Sequence, residues 1–183
     1  MHWQKEKTDT KSVGNSATLP KDTTDRDEIK RWLYVLSESV AARLNKAGVG
    51  RASTLHLTVR YADLRFDGWQ TKMQPTALCG DIAKTAFELF CKRCPQGTKI
   101  RLLGVAVSGF DYQVEQLSLL DIVDEEEGKK SYEKKERVES AVAKLREKYG
   151  YASVQRGLVL EDEHLDGLDV RGLKEETSPK QKK

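Results

Sequence analysis

The chain is poor in cysteine and has no long apolar run, and each absence excludes a class of protein. Its 3 cysteines are an odd number and lack the spacing of a disulfide framework. Cys91 and Cys94 form a Cys-x-x-Cys pair, but no second Cys or His pair lies at zinc spacing. We therefore expect reduced thiols rather than a redox pair or half of a metal site. No apolar stretch approaches the roughly 20 residues that span a bilayer, and the N-terminus lacks the apolar region of a signal peptide. These absences predict a cytoplasmic protein with no membrane partner.

The chain also lacks a recognisable catalytic constellation. Its histidines, His2, His56 and His164, are scattered, and each fits a solvent-facing or locally hydrogen-bonded side chain better than a catalytic one. No pair of carboxylates lies at the ends of two apolar strands, as a two-metal site requires. Asp63 follows a strand but has no partner carboxylate. We expect no enzymatic activity from this chain alone and no cofactor bound to it.

Charge is present in both signs but is unevenly distributed. The 183 residues suffice for one domain plus tails, and the net charge is only +3. Residues 51–110 carry nine Lys or Arg against four Asp or Glu, whereas residues 111–127 carry seven acidic side chains and no basic one. A basic body followed by an acidic tether predicts two partners, one of which is a polyanion.

Two segments have the apolar spacing of amphipathic helices. Asp25, with Glu28 three residues later, predicts the start of the first helix, and Gly48 predicts its end. The second helix is expected after Thr76 and before Pro95. The apolar positions repeat at helical spacing in both, namely Ile29, Leu33, Leu36, Val40 and Leu44 in the first and Leu78, Ile82, Ala86, Leu89 and Phe90 in the second.

Four segments read as strands. Residues 54–61 and 69–74 alternate between apolar and polar side chains, as half-buried strands do. Residues 11–19 form a short extended run that is expected to stop at Pro20. The apolar parity of the last strand, which starts at Ile100, changes along its length, and this change predicts a bulge near Leu103 and Gly104.

The order strand, helix, strand, strand, helix, strand predicts an α+β fold. We expect a βαββαβ domain in which a four-stranded antiparallel sheet carries two helices on one face. The other face is predicted to be open and to carry Thr58, Arg60, Gln70, Lys72 and Arg101. The predicted organisation is a linker over residues 1–10, the domain over 11–110, an acidic tether over 111–127, and a short helix within 131–149 followed by a charged, largely disordered tail in 128–183.

Three motifs, in this order, resemble the C-terminal little-finger domain of bacterial Y-family (DinB/UmuC-type) translesion DNA polymerases. They are Lys-Ser-Val-Gly-Asn-Ser at 11–16, Val-Arg-Tyr-Ala-Asp-Leu at 59–64 and Ile-Arg-Leu-Leu-Gly-Val-Ala-Val-Ser-Gly-Phe at 100–110. The resemblance implies a domain that grips the backbone of duplex primer-template DNA during DNA repair and damage tolerance. It assigns DNA contacts to a first-strand set, Lys11, Ser12, Gly14, Asn15 and Ser16, and to a sheet set, Arg60, Arg65, Gln70, Lys72 and Arg101.

The resemblance extends into the acidic segment. Gln116, Leu117, Ser118, Leu119 and Leu120 resemble the short peptide by which bacterial DNA polymerases dock on the sliding clamp. Such a peptide works because one amide and two or three apolar side chains enter a preformed apolar pocket. The other interpretation is the end of an amphipathic turn that buries Leu117 and Leu120.

The chain departs from the family in what precedes the domain. Nothing in it matches the palm that carries the catalytic carboxylates, and magnesium is therefore expected only in a palm outside this sequence. An excised fragment of a larger polymerase is the favoured interpretation, and a natural truncation is the alternative. The segment Phe66-Asp67-Gly68-Trp69-Gln70 also differs from the Thr, Ser and Arg usual in the family. A stand-alone RNA-binding or adaptor module with a ferredoxin-like arrangement is the alternative function.

Overall fold

A computed structural model describes residues 10–111 and 125–150, together with residues 153, 154 and 157. Seven elements follow one another along the described chain. They are β1 (Ser12–Thr23), α1 (Arg26–Ala47), β2 (Arg51–Tyr61), β3 (Phe66–Thr76), α2 (Cys79–Arg93), β4 (Ile100–Asp111) and α3 (Glu125–Tyr149).

The four strands form one antiparallel sheet with the spatial order β1-β4-β2-β3. The first and last strands of the chain pair with each other, and the β2–β3 hairpin extends the sheet beyond β4. The predicted α+β fold with βαββαβ order is therefore confirmed. β1 and β3 are the two edge strands, each hydrogen-bonded to one neighbour only.

The core lies between one face of the sheet and the helices. Leu55, Leu57 and Val59 of β2 are fully buried, and Val105 and Val107 of β4 are at most 1% exposed. Because alternate residues of a strand point to opposite faces, these side chains share one face. They form a single cluster with the apolar stripes of α1 and α2. Both helices thus cover the same face of the sheet, as the sequence predicts.

Helix α1 begins and ends as its sequence indicates. The Asp25 carboxylate accepts a hydrogen bond from the backbone N–H of Asp27 at 2.9 Å and so satisfies one of the free amides of the first turn. Gly48 ends the helix in the left-handed conformation, at φ 62°, which glycine adopts without steric cost. α2 differs, because its N-cap residue is Leu78 and no side chain of its own first turn caps it. Thr76 lies two residues earlier and accepts a hydrogen bond from the Leu78 N–H.

Two predicted strand features lie elsewhere than expected. β1 continues through Pro20 to Thr23. Proline is tolerated there because β1 is an edge strand, where a backbone N–H that faces away from the sheet has no strand partner. The irregularity of β4 is at Arg101, since Tyr61 pairs with Ile100 and Arg60 pairs with Leu102. The predicted bulge exists but lies two residues before the expected position, and it turns Leu102 away from the core.

α3 is longer than the helix predicted within 131–149 and packs against the N-terminal end of α2. The Tyr132 hydroxyl accepts a hydrogen bond from the Ala77 N–H at 3.0 Å, and the Glu139 carboxylate accepts one from the Cys79 N–H at 3.2 Å. α3 therefore supplies the capping carboxylate that α2 lacks. The Arg146 guanidinium donates to the Glu38 carboxylate of α1, and both side chains are nearly buried. Among the described residues, no helix has both the length and the apolar character needed to cross a membrane.

Candidate nucleic-acid interface

The face of the sheet opposite the helices is organised in four rungs. A rung is a row of four directly opposed residues, one from each strand, and the four rungs together are called the open face. In the order β1, β4, β2, β3 they are Ser12–Ser108–Thr54–Lys72, Gly14–Ala106–His56–Gln70, Ser16–Gly104–Thr58–Gly68 and Thr18–Leu102–Arg60–Phe66. Directly opposed residues of an antiparallel pair point to the same side of the sheet.

The floor of the open face, where β1 and β4 pair, is made of small residues in the middle rungs, namely Gly14 with Ala106 and Ser16 with Gly104. A Cβ atom added to Gly14 would lie 2.6 Å from the Cβ of Ala106, and one added to Gly104 would lie 3.2 Å from the Cβ atoms of Ser16 and Thr58. A side chain at Gly14 would therefore force β1 or β4 to shift, and one at Gly104 would require Ser16 or Thr58 to give way slightly. A rigid ligand can reach the sheet backbone closely at this floor.

The open face carries positive but no negative side chains. None of the four rungs contains Asp or Glu, whereas Arg60 and Lys72 are both exposed. The Lys72 ammonium donates a hydrogen bond to the Thr54 hydroxyl at 2.9 Å. The His56 Nε2 and the Ser108 hydroxyl are 2.8 Å apart. The surface combines cations, hydroxyl groups and accessible backbone, which are the groups that contact phosphate and sugar oxygens.

The structure separates the predicted first-strand contacts into two groups. Ser12, Gly14 and Ser16 lie on the open face. The Asn15 side chain lies on the other side of β1, where its amide donates to the Ser39 hydroxyl of α1 at 2.9 Å. Lys11 is exposed immediately before the strand. Strand alternation therefore brings only half of the contiguous motif to the candidate interface.

The predicted sheet contacts also divide into two groups. Arg60, Gln70 and Lys72 lie on the open face, but Arg65 is in the β2–β3 turn and Arg101 is at the bulge. Both of these arginines have a carboxylate partner within the chain.

The Arg101 guanidinium donates two hydrogen bonds, each 2.9 Å long, to the Asp22 carboxylate. This pair lowers the pKa of Asp22 and raises that of Arg101. Arg65 contacts Asp63 at 2.7 Å and lowers the pKa of that carboxyl in the same way. Both guanidinium groups are therefore partly neutralised within the chain, and neither lies in a rung of the open face.

Phe66 is a prominent open-face residue that the sequence pattern did not predict. It ends the fourth rung opposite Arg60 and is 62% exposed. Its neighbour in the turn, Leu64, is 53% exposed and has a positive φ of 69°. The signal was present, because Phe66 has the same parity as Gln70 and Lys72. The alternation predicts a strand over residues 69–74, however, which leaves Phe66 outside it.

The hairpin that carries Phe66 is closed by internal hydrogen bonds. The Tyr61 N–H donates to the Arg65 carbonyl at 2.9 Å, and the Tyr61 hydroxyl donates to the Asp67 carboxylate at 2.7 Å. Burial and this carboxylate raise the pKa of Tyr61 above its ordinary value. These hydrogen bonds hold the backbone at the end of the hairpin in one conformation.

The predicted clamp-docking peptide, Gln116–Leu120, lies outside the described residues. Among the described residues, no group of three or more His, Cys, Asp or Glu side chains is placed to hold a metal ion.

The fold defines the class of protein, an α+β domain in which helices cover one face of an antiparallel sheet and the other face is open. The family model of the impB/mucB/samB family C-terminal domain matches residues 10–119. The match covers more than half of the chain, so the chain belongs to this family, whose C-terminal domain is the little-finger domain of Y-family translesion DNA polymerases. The resemblance stated from the three sequence motifs is confirmed.

Curated relatives agree with the family. The chain is 30% identical over 159 residues to DNA polymerase IV of Acetivibrio thermocellus, covering 86% of this chain and 39% of that protein. It is 33% identical over 154 residues to DNA polymerase IV 1 of Bacillus subtilis, covering 84% of this chain and 36% of that protein. The chain thus spans about two fifths of the length of the curated relatives it matches.

One solved structure with a similar chain is the little finger domain of PolIV in complex with the beta-clamp processivity factor. The two chains are 19% identical with a TM-score of 0.47, and the alignment covers 61% of this chain and 99% of that domain.

Proposed function

We propose that this chain is the non-catalytic DNA-binding part of an error-prone translesion DNA polymerase. The open face grips the sugar-phosphate backbone of primer-template DNA, and the segment after β4 docks on the sliding clamp. The observation that carries the proposal is the open face itself, which is cationic and free of carboxylates in a chain of this family. Catalysis and magnesium then belong to a palm that this sequence does not contain, and the place of action is the bacterial cytoplasm.

The chemistry of the open face suits a ligand of any sequence. Arg60 and Lys72 supply exposed charge, and the serine and threonine hydroxyls around them supply short-range donors. Contacts of this kind hold a duplex in register without reading its bases, which a polymerase that moves along any template needs. The glycine floor lets the phosphate backbone approach the sheet.

An RNA-binding module with the same element order is the second candidate. Sheets of that kind stack bases on aromatic side chains of their central strands. Here the central strands contribute only small or polar residues and one leucine to the open face, namely Leu102, Gly104, Ala106 and Ser108 from β4 and Thr54, His56, Thr58 and Arg60 from β2. The composition of the central strands favours a backbone-gripping role over a base-reading one.

A salt titration tests the DNA-binding proposal. Binding of the whole chain to blunt duplex DNA should weaken steeply with salt, with a slope in log K against log salt of roughly −3 to −5 for about three to five phosphate contacts. The double variant R60A/K72A should bind all duplex sequences more weakly and lower the magnitude of the slope by about 2.

The matched control for that titration is K92A/R93A, which removes the same charge from exposed positions at the end of α2. It should leave the slope unchanged. Equal losses in the two double variants would show that only net charge matters and would remove the open face from the proposal. A single strongly preferred sequence would contradict it as well.

Clamp docking is tested separately. Gln116 is proposed to supply the oriented amide, and Leu117, Leu119 and Leu120 to fill the apolar pocket. A short peptide that orders on binding reaches about micromolar affinity, or about −8 kcal/mol. L119A/L120A should remove most of that affinity, since buried leucines contribute roughly 1.5–3 kcal/mol each. In a titration with the clamp of the same organism, unchanged binding by L119A/L120A would refute the docking role, and DNA binding should survive the change.

A further inference from the structure

Phe66 is a large apolar side chain on an otherwise small and polar surface. It is 62% exposed at the end of the fourth rung, on the edge strand β3. Exposing an aromatic ring to water forgoes the stabilisation that its burial would bring. A single exposed apolar residue is common on protein surfaces, so the surroundings of Phe66 decide whether it has a role.

Those surroundings are cationic on the side that Phe66 faces. Arg60 lies directly opposite on β2, and directly opposed Cβ atoms of an antiparallel pair are about 5 Å apart. The acidic neighbour Asp67 points to the other face, where its carboxylate accepts a hydrogen bond from the Tyr61 hydroxyl. The next rung toward the centre has glycine at position 68, and a Cβ built there meets no atom within 4 Å. Phe66 and Arg60 therefore leave the sheet side by side on the same face, and open space lies on the adjacent rung.

The backbone at Phe66 is held in place before any ligand arrives. The β2–β3 turn is closed by the Tyr61–Arg65 backbone bond, and the Asp63 carboxylate accepts from the Arg65 N–H at 3.0 Å. Because the backbone that carries Phe66 is already ordered, only the rotamer of its side chain has to be fixed when a flat ligand stacks on it.

We propose that Phe66 is a stacking platform for an unpaired base of single-stranded DNA that leaves the duplex held on the open face. Arg60 contacts the phosphate next to that base. The inference rests on the proposed DNA-binding function and adds a preference for junctions between duplex and single strand. Every base has a stacking face, so the platform tolerates any sequence, whereas the stacked interior of a duplex offers no free base face to Phe66.

The observations favour nucleic acid over a protein partner at this site. A protein partner for an exposed phenylalanine needs an apolar surround that excludes water from the contact. Here the residues around Phe66 on the open face are arginine, glycine and threonine, and Leu102 beyond Arg60 is only half-buried. Aromatic rings next to arginine are the combination that binds single strands.

The test compares two DNA ligands that share one duplex, one blunt and one with a single-stranded extension. The whole chain should bind the extended DNA roughly 5- to 100-fold more tightly, which is the stacking contribution of one base. F66A should lose that preference and keep its blunt-duplex affinity, and F66W should keep both. With 5-iodouracil in the extension, irradiation should crosslink the base to Phe66, located by mass spectrometry, and F66A should abolish the crosslink.

L64A is the matched control, because Leu64 is an exposed apolar residue of the same hairpin outside the four rungs. It should leave both affinities and the crosslink unchanged. Three results would overturn the inference. In the first, F66A binds extended DNA like the parent. In the second, F66A loses equal affinity for both DNA ligands. In the third, F66A weakens only clamp binding. In each case salt-dependent binding of the parent to blunt duplex leaves the DNA-binding function standing, whereas a parent that binds neither ligand refutes both.

Discussion

The two faces of the sheet carry completely different kinds of side chain. Leu57 and Thr58 are adjacent in β2, yet Leu57 is fully buried beneath the helices and Thr58 lies on the open face between Gly68 and Gly104. On the covered face the residues are large and apolar because they must exclude water. On the open face most of them are small, polar or cationic, and the large apolar residues there are Leu102 and Phe66.

The difference teaches where functional information lies in this domain. The covered face is explained by packing alone, and its residues would serve any protein with this fold. The open face is not explained by packing, since Arg60, Lys72 and Phe66 gain little stability from their exposed positions. Its composition fits the proposed DNA ligand, because a surface whose rungs lack Asp and Glu does not repel phosphate.

The largest expected effect on stability compares Leu57 and Thr58, which are neighbours in β2 but lie on opposite faces of the sheet. L57A leaves a cavity in a fully buried position and should lower the free energy of unfolding by about 2–5 kcal/mol. T58A removes a small side chain from the open face and should change it by less than about 0.5 kcal/mol. Urea unfolding followed by circular dichroism measures both. Similar losses in the two variants would contradict the division into a structural and a binding face.

An intermediate effect is expected from the glycine floor. G14A should lower the free energy of unfolding by about 1–3 kcal/mol, because its Cβ would lie 2.6 Å from that of Ala106 and force β1 and β4 apart. G68A is the matched control on the opposite edge strand, where an added Cβ meets nothing within 4 Å. Thermal unfolding compares the two. If G14A is as stable as G68A, close approach of the strands is not what selects glycine at position 14.

The smallest effect concerns the ion pair at the sheet end. Arg101 lowers the pKa of Asp22 in the folded state, so the pair stabilises the fold above the unfolded carboxyl pKa of about 3.9 and loses that contribution as the pH falls through the folded value. D22N removes this dependence. Urea midpoints measured between about pH 6 and pH 2.5 should therefore fall less in D22N than in the parent. Parallel acid profiles would show that the pair is too well solvated to contribute.

The sequence by itself determined the element order, the α+β class and the family. These follow from local signals, namely the apolar spacing of α1 and α2, the Asp25 and Gly48 caps, and the alternation of β2. Local signals are readable because neighbours along the chain set helix periodicity and strand alternation. Half of the candidate site was equally readable, since Arg60, Gln70 and Lys72 are polar positions of recognisable strands.

Only the tertiary structure decided which side chains meet. The bulge at Arg101 set which residues of β4 face the helices, and pairing across the sheet set the glycine contact between β1 and β4. Strand register placed Phe66 opposite Arg60 and turned Asn15 toward α1. The capping of α2 by Glu139 of α3 joins residues 60 positions apart. Such pairings depend on how separate elements pack together, and no local pattern in the chain encodes that packing.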